Sequence, residues 1–432
     1  MAEKPITCDE VLKFHQGGKI SVRLTKPLKT QRDLSLAYTP GVAKAVTKIA
    51  DTPDSIYQYT AKSNLVAVVT DGTAILGMGD LGAAASIPVM EGKVVLLKAF
   101  GDVDGWPVPL NNCRLNGKNS GKTDPKRIIE ITAALAPMYA GINLEDIAAP
   151  ACFEIEDTLD AMLDIPVFHD DQWGTAVITL AGIMNYCLLS KRDISTLRIV
   201  INGAGAAGIR IADMCKAAGV KNLIMCDSRG VISCDRKDLN EHKQRHACAC
   251  GPKSLSEALV DAHVFVGVSV ANCVSGDDVR TMADYPAIFA MANPEPEIST
   301  SVVAEVMGDK PYIMATGRSD YPNQINNVLG FPFLFRGALD VRANTINTEM
   351  KVAASQALAE LARKEVPADV KALYPNEDLA FGSAYIIPKP FDKRLFVEIS
   401  FAVAAAAVNS GAAPATDLKA LKASLEERNA KR

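Results

Sequence analysis

The stretch "LRIVINGAGAAGIRIADMCKAAGVKNLIMCDSRG", residues 197–230, decides the fold of the second half of the chain. An apolar run ends at Asn202 and gives way to Gly203-Ala204-Gly205-Ala206-Ala207-Gly208, which fits G-x-G-x-x-G. The helical pattern "IRIADMCKAAG" follows, and then a second apolar run, "NLIMCD", which closes on Asp227. Strand, glycine turn, helix and strand form the βαβ context that this fingerprint requires; a lone match would be weak, because glycine also punctuates ordinary βα turns. The glycines let backbone N–H groups approach a pyrophosphate at the positive end of the helix. Asp227, 22 residues after Gly205, stands where a carboxylate accepts from adenosine ribose hydroxyls. The expected dinucleotide contacts are therefore Gly203, Ala204, Gly205, Ala206, Ala207 and Asp227. An acid there favours NAD, because it repels a 2′-phosphate, while Arg229 two residues on could offset that repulsion. NAD and NADP both stay open.

Downstream, "AHVFVGVS", "AIFAMANP" and "YIMATG" are apolar runs closed by turn residues. Strands alternating with helices imply a parallel, doubly wound sheet. Upstream, "NLVAVVTDG" and "GKVVLLKAFG" read as two strands, separated by a Gly-rich loop and a helix in "AILGMGDLGAAASIPVMEGK". "NNCRLNGKNSGKTD" (111–124) reads as a polar, solvent-exposed excursion, and "DPKRIIEITAALAPMYAGI" as an amphipathic helix. A short strand is expected near 160–166, before an acid pair. "NTEMKVAASQALAELARKEV" is strongly helical, and "LKALKASLEERNAKR" is a charged surface helix. A chain of 432 residues is too long for one ordinary core. The expected fold is α/β: an N-terminal α/β substrate domain over 1–165, then a Rossmann-type dinucleotide-binding domain with C-terminal helices over 166–432.

The composition, 48% hydrophobic and 22% charged with a net charge of −4, is that of a globular protein and suggests neither nucleic-acid nor membrane-surface binding. "MAEKPITCDE" has no signal-peptide pattern, and no uncharged apolar stretch reaches membrane-spanning length. Ten cysteines lie without a disulfide-like framework, so free thiols in a cytoplasmic protein are expected. Cys248 and Cys250, near His242 and His246, lack the usual zinc spacing.

Two adjacent acid pairs stand beside apolar residues. In "PVFHDDQWGTA" (166–176), Asp170 and Asp171 precede the run "VITLAGIM"; Glu145 and Asp146 lie in "INLEDI". Paired carboxylates entering an interior are costly unless a cation, a proton or a basic group compensates. One reading makes Asp170 or Asp171 a helix N-cap and "LED" a surface string. The other has both pairs converge on Mg²⁺ or Mn²⁺, which prefer carboxylate oxygens. Beside a nicotinamide site such a metal would suit a hydroxy-dicarboxylate, polarising the ketone left by hydride loss. That chemistry needs a base and an acid. Lys93, before an expected buried strand, could have its pKa lowered by desolvation and nearby cations, and Tyr38, in "LAYTPGVA", could present its phenol to a cleft.

The segments "TQRDLSLAYTPGVA", "SNLVAVVTDGTAILGMGDLG", "PVMEGK", "GINLEDI", "IPVFHDDQWGTA", "INGAGAAG", "MANPEPEI" and "TGRSDYPNQINNVLGFPFLFRGALD" occur in the order seen in malic enzymes. From about residue 15 to 400 the chain resembles their short bacterial form. The resemblance implies metal-dependent oxidative decarboxylation of (S)-malate to pyruvate and carbon dioxide with reduction of NAD(P)⁺, and decarboxylation of oxaloacetate. It implies Tyr38 as general acid, Lys93 as general base and Asp170 as the carboxylate that places the lysine. Glu145, Asp146 and Asp171 match metal ligands. Asn293 and Asn326 match positions on the nicotinamide or substrate side, with Asn327 close by. A homodimer or higher homo-oligomer is expected.

Three departures stand out. Ala74 replaces an arginine that binds a substrate carboxylate in long forms, Trp173 stands where His or Ile is more usual, and 111–124 looks longer than its counterpart. No phosphotransacetylase-like extension follows, so a single activity is expected. An amino-acid dehydrogenase also pairs a lysine with a Rossmann domain but would not need the acid pairs. A silent nucleotide-sensing module would have no reason to keep Tyr38, Lys93, Glu145, Asp146 and Asp171 together.

Overall fold

The computed structural model describes residues 6–117, 122–249 and 251–432. Two sheets carry the architecture. The first contains β1 (Leu65–Thr70), β2 (Asp104–Pro109), β3 (Gly141–Leu144) and β4 (Val167–His169), all parallel, in the order β2-β1-β3-β4. The apolar runs of β1 and β3 are buried along nearly their whole length, as strands covered on both faces must be. Because β4 pairs with β3, the first sheet extends beyond residue 165.

One expected strand is instead helical. "GKVVLLKAFG" forms the last part of the Ala83–Gly101 helix, which buries Ser86, Met90, Val94, Leu97 and Gly101 at helical spacing. This helix is apolar nearly all round, so no polar face reveals its period. The true second strand, "DGWPVP", is half-exposed and contains two prolines, a pattern tolerated at a sheet edge, where β2 lies. The 111–124 excursion also departs from expectation at its base. Cys113 is buried, and Arg114 turns inward to ion pairs of 2.8 Å with both Asp71 and Asp80. Leu115–Gly117 are exposed, and residues 118–121 lie outside the described residues.

The second sheet contains β5 (Arg198–Asn202), β6 (Asn222–Asp227), β7 (Gly230–Val231), β8 (Val264–Gly267), β9 (Ala287–Ala290) and β10 (Ile313–Thr316). Its order is β10-β9-β8-β5-β6-β7, parallel except for β7. The order reverses between β5 and β8, which opens a crevice at their C-terminal ends, where open α/β sheets take ligands. The glycine turn sits there. Gly203 has φ +116°, and a Cβ on it would strike the Val268 carbonyl beyond β8. A Cβ on Gly208 would strike the Gly203 carbonyl, whereas one on Gly205 would meet nothing within 4 Å. Two glycines thus close the turn, and the third leaves room above it. Gly208→Ala is expected to cost about 1–3 kcal/mol, the usual range for overpacking. An unchanged urea midpoint would show that the turn can yield.

The Asp170–Ser190 helix connects the two sheets. It starts directly after β4 and packs on the Ala206–Ala217 and Thr348–Arg363 helices. Contrary to the expectation that no stretch reaches membrane-spanning length, it is long and apolar enough to cross a membrane by length and composition alone, yet most of it is buried in the core. The Arg394–Asn409 helix packs on Thr348–Arg363 and on Phe331–Asp340, and the latter rests on Ala83–Gly101. Eight described cysteines are free thiols, but Cys248 is disulfide-bonded, contrary to the expectation of free thiols throughout; Cys250 lies outside the described residues.

Candidate active site

Strands β3 and β4 are parallel neighbours with Leu144 opposite His169, so both acid pairs leave the same sheet edge side by side. Oxygens of Glu145, Asp146 and Asp171 lie within 4.8 Å of one another. The two pairs are tied directly, because the Asp146 N–H donates to Asp171 Oδ2 at 2.8 Å. Neither aspartate is the N-cap: His169 takes that position and makes no side-chain cap bond, while Asp170 and Asp171 occupy the first helical turn. Glu145, Asp146 and Asp170 are buried, whereas the Asp171 side chain is 36% exposed and marks the opening.

Lys93, from the Ala83–Gly101 helix, donates to Asp170 and lies 2.9 Å from Glu145 Oε1. Asn327 Nδ2 donates to the same Asp170 carboxylate at 3.2 Å and is itself held through its Oδ1 by the Thr175 hydroxyl at 2.9 Å. Gly174 permits this arrangement, since a Cβ there would strike Asp170 Oδ1. The lysine expectation needs correction. Burial lowers the Lys93 pKa, but Asp170, Glu145 and Asp171 outweigh it and hold it well above the ordinary value. Burial raises Glu145 well above the usual range despite Lys93, and burial together with Asp171 pushes Asp146 up to about 7. Four carboxylates around one ammonium leave this site short of positive charge.

Tyr38 stands apart. It closes the Gln31–Ala37 helix, is 68% exposed, and among the described residues no hydrogen bond joins it to the acid cluster. The helices Cys8–His15, Gln31–Ala37 and Val42–Asp51 contain no buried residue, and Leu12, Phe14, Leu34, Leu36 and Val46 are exposed on them.

At the glycine turn, Asp227 ends β6 as expected, but the cations on it are not the expected one. Arg236 binds its two oxygens at 2.8 and 3.0 Å, and Lys243 binds at 2.7 Å. Arg229 contributes only its backbone N–H, at 3.0 Å, and its side chain turns to Asp238. Burial would raise the Asp227 pKa, but the bonds from Arg236 and Lys243 hold it well below the carboxylate range. Asn293 is exposed beyond β9, against Gly317. Asn326 caps a short turn through its Oδ1, accepting from the Val328 N–H at 3.0 Å, so Asn327 rather than Asn326 reaches the acids. Ala74, in place of an arginine, donates its backbone N–H to the Asp146 carbonyl at 3.0 Å.

Trp173 lies behind the acid pair. Lys351 Nζ stands 3.5 Å from its ring centroid and the Arg210 guanidinium 4.5 Å. Arg210 donates to Gln172 at 2.8 Å and pairs with Glu156, which accepts the His169 N–H at 2.9 Å. Burial pushes Lys351 down to about 8. Sequence reading missed Glu156, Arg210 and Lys351, which no local motif links.

Residues 17–160 match the family described as "Malic enzyme, N-terminal domain", and residues 173–383 "Malic enzyme, NAD binding domain". The chain is 52% identical over 431 residues to an "NADP-dependent malic enzyme" of Rhizobium meliloti, covering 98% of this chain and 55% of that one. It is 50% identical to the "NADP-dependent malic enzyme" of Halomonas elongata, covering 92% of each. The crystal structure of malic enzyme from Pyrococcus horikoshii superposes with a TM-score of 0.86 at 36% identity, covering 97% of this chain and 95% of that one. The chain spans about half the length of several relatives that it matches.

Proposed function

The chain belongs to the malic enzyme family, and from that premise we propose that it oxidatively decarboxylates (S)-malate to pyruvate and carbon dioxide, reducing NAD(P)⁺, and decarboxylates oxaloacetate. The observation that carries this reading is the cluster of buried Glu145 and Asp146 with the half-buried Asp171 against Lys93. In this reading residues 1–165 serve the substrate and residues 166–432 the dinucleotide, in a cytoplasmic enzyme; the eight free thiols among the described residues suit that compartment.

The chain fits both groups that the reaction needs. Among the described residues Asp146 Oδ2 is buried without a hydrogen-bond partner, and three converging carboxylates suit a hard cation such as Mg²⁺ or Mn²⁺. The open space above Gly205 suits a pyrophosphate. When bound, the cation supplies Lewis-acid polarisation of the substrate oxygen and the coenzyme accepts hydride. Lys93 accepts the C2 hydroxyl proton, held in place by Asp170, which Asn327 fixes in turn. Its pKa is high because the surrounding carboxylates are uncompensated, and a cation held by Glu145, Asp146 and Asp171 would remove that upward pull. The C3–C4 bond then breaks, C4 leaves as carbon dioxide, and Tyr38 protonates C3.

The exposure of Tyr38 and of the apolar residues around it supports a homodimer in which Tyr38 reaches the site of a second copy. Mixing Tyr38→Phe and Lys93→Ala proteins under exchange should then restore about a quarter of the normal sites, since each hybrid holds one intact pair. No restoration despite hybrid formation would place both residues in one chain. The activity itself is tested with malate, NADP⁺ or NAD⁺ and Mn²⁺: pyruvate should form, stop with EDTA and resume on adding Mn²⁺. Turnover of an amino acid that survives EDTA would favour the dehydrogenase reading, and nucleotide binding without turnover the sensing module.

A further inference from the structure

We propose that Arg236 and Lys243 make this protein select NADP over NAD, by occupying Asp227 and presenting their positive charge to the 2′-phosphate. The proposal rests on the reading of the glycine turn as a dinucleotide site. An ionised carboxylate offers about four lone-pair positions. On Asp227 four donors meet them: Arg236 Nη1 and the Arg229 N–H on Oδ1, and Arg236 Nη2 and Lys243 Nζ on Oδ2. No acceptor position remains for the ribose hydroxyls, which is the contact by which an acid at this place ordinarily holds NAD.

The charge balance points the same way. Asp227 and Asp238 face Arg229, Arg236 and Lys243, linked by ion pairs of 2.7–2.8 Å, so the cluster carries one surplus positive charge at the end of β6. Arg236 is anchored as well by the Val231 carbonyl at 3.3 Å, and Lys243 lies in a short helix whose first turn Asn240 caps. Lys243 and Arg229 retain solvent-exposed surface through which a phosphate can reach them. The five N–H groups of Arg236 are all taken by Asp227, Asp238 and Val231, so Arg236 neutralises the repulsive acid, while Lys243 and Arg229 supply the charge-assisted donors that a phosphate takes.

The test compares 2′,5′-ADP with ADP by calorimetry on the full chain, which isolates the 2′-phosphate and requires no turnover. The protein should bind 2′,5′-ADP about ten- to a hundredfold more tightly, the range expected for charge-assisted hydrogen bonds. Arg236→Ala with Lys243→Ala should erase that difference, and the kcat/KM ratio for NADP⁺ over NAD⁺ should fall with it. If the double variant does not fold, Lys243→Ala alone should lower the 2′,5′-ADP preference severalfold. Equal binding of the two nucleotides by the unaltered protein, or a preference that survives these variants, would overturn the proposal. Failure to bind either nucleotide would overturn the dinucleotide reading, and the proposal with it.

Discussion

Asp171→Ala is expected to lower malate turnover by about a hundredfold or more, since loss of even an outer partner of a metal ligand costs 10–100-fold. Binding of 2′,5′-ADP should remain nearly normal, because the polar contacts of the Asp171 carboxylate run to Asp146 and His169 rather than to the glycine turn. Glu145→Ala should be at least as damaging but is less diagnostic, since it also removes a Lys93 partner at 2.9 Å. Stability separates ligand loss from misfolding. Asp171→Asn keeps the side-chain shape and an acceptor oxygen for the Asp146 N–H while relieving repulsion among the carboxylates. In EDTA this variant should melt at or above the temperature of the unaltered protein, whereas Mn²⁺ should stabilise it far less. Normal turnover at limiting Mn²⁺ in Asp171→Ala would refute the metal assignment.

Lys93→Ala should reduce the first hydride transfer by about 10²–10⁴-fold, the magnitude usual for a general base. Tyr38→Phe keeps the ring and removes only the phenolic proton, so a pre-steady-state burst of reduced coenzyme should persist while protonation at C3 slows. Stopped-flow absorbance of the reduced coenzyme, read beside solvent-deuterium incorporation into pyruvate, distinguishes the two lesions. The opposite pattern, with Tyr38→Phe silent in hydride transfer and Lys93→Ala competent, would show that the roles are exchanged.

Legibility in the sequence followed the range of the interaction. The turn at Gly203–Gly208 was readable because its meaning is local: strand, glycines and helix lie in one short stretch. The acid pairs were conspicuous as adjacent charges beside apolar runs, yet only the pairing of Leu144 with His169 brings them to one edge. "GKVVLLKAFG" reads as a strand because a helix without a polar face carries no visible period, and "DGWPVP" carries no plain strand signal because prolines are tolerated only at a sheet edge. Arg236 and Lys243 follow Asp227 by nine and sixteen residues at no diagnostic spacing, so in the sequence only Arg229, the nearer cation, stands out. The sign of the Lys93 pKa shift is not legible in the sequence, because Glu145, just after β3, and Asp170 and Asp171, in the helix after β4, are all distant from Lys93 along the chain.

The Asp170–Ser190 helix also limits how the two halves can move. Its first turn belongs to the acid cluster, bonded to Lys93 and to the Asp146 backbone, while its body is packed into the helices of the dinucleotide half. A hinge far from this turn would swing Asp170 and Asp171 away from Lys93 and Glu145 as the cleft opened, dismantling the cluster at each cycle. A rotation whose axis passes through the turn leaves the four carboxylates in register. Any opening of the cleft that kept the cluster intact would therefore need its axis near residues 169–171, where the acid pair is anchored.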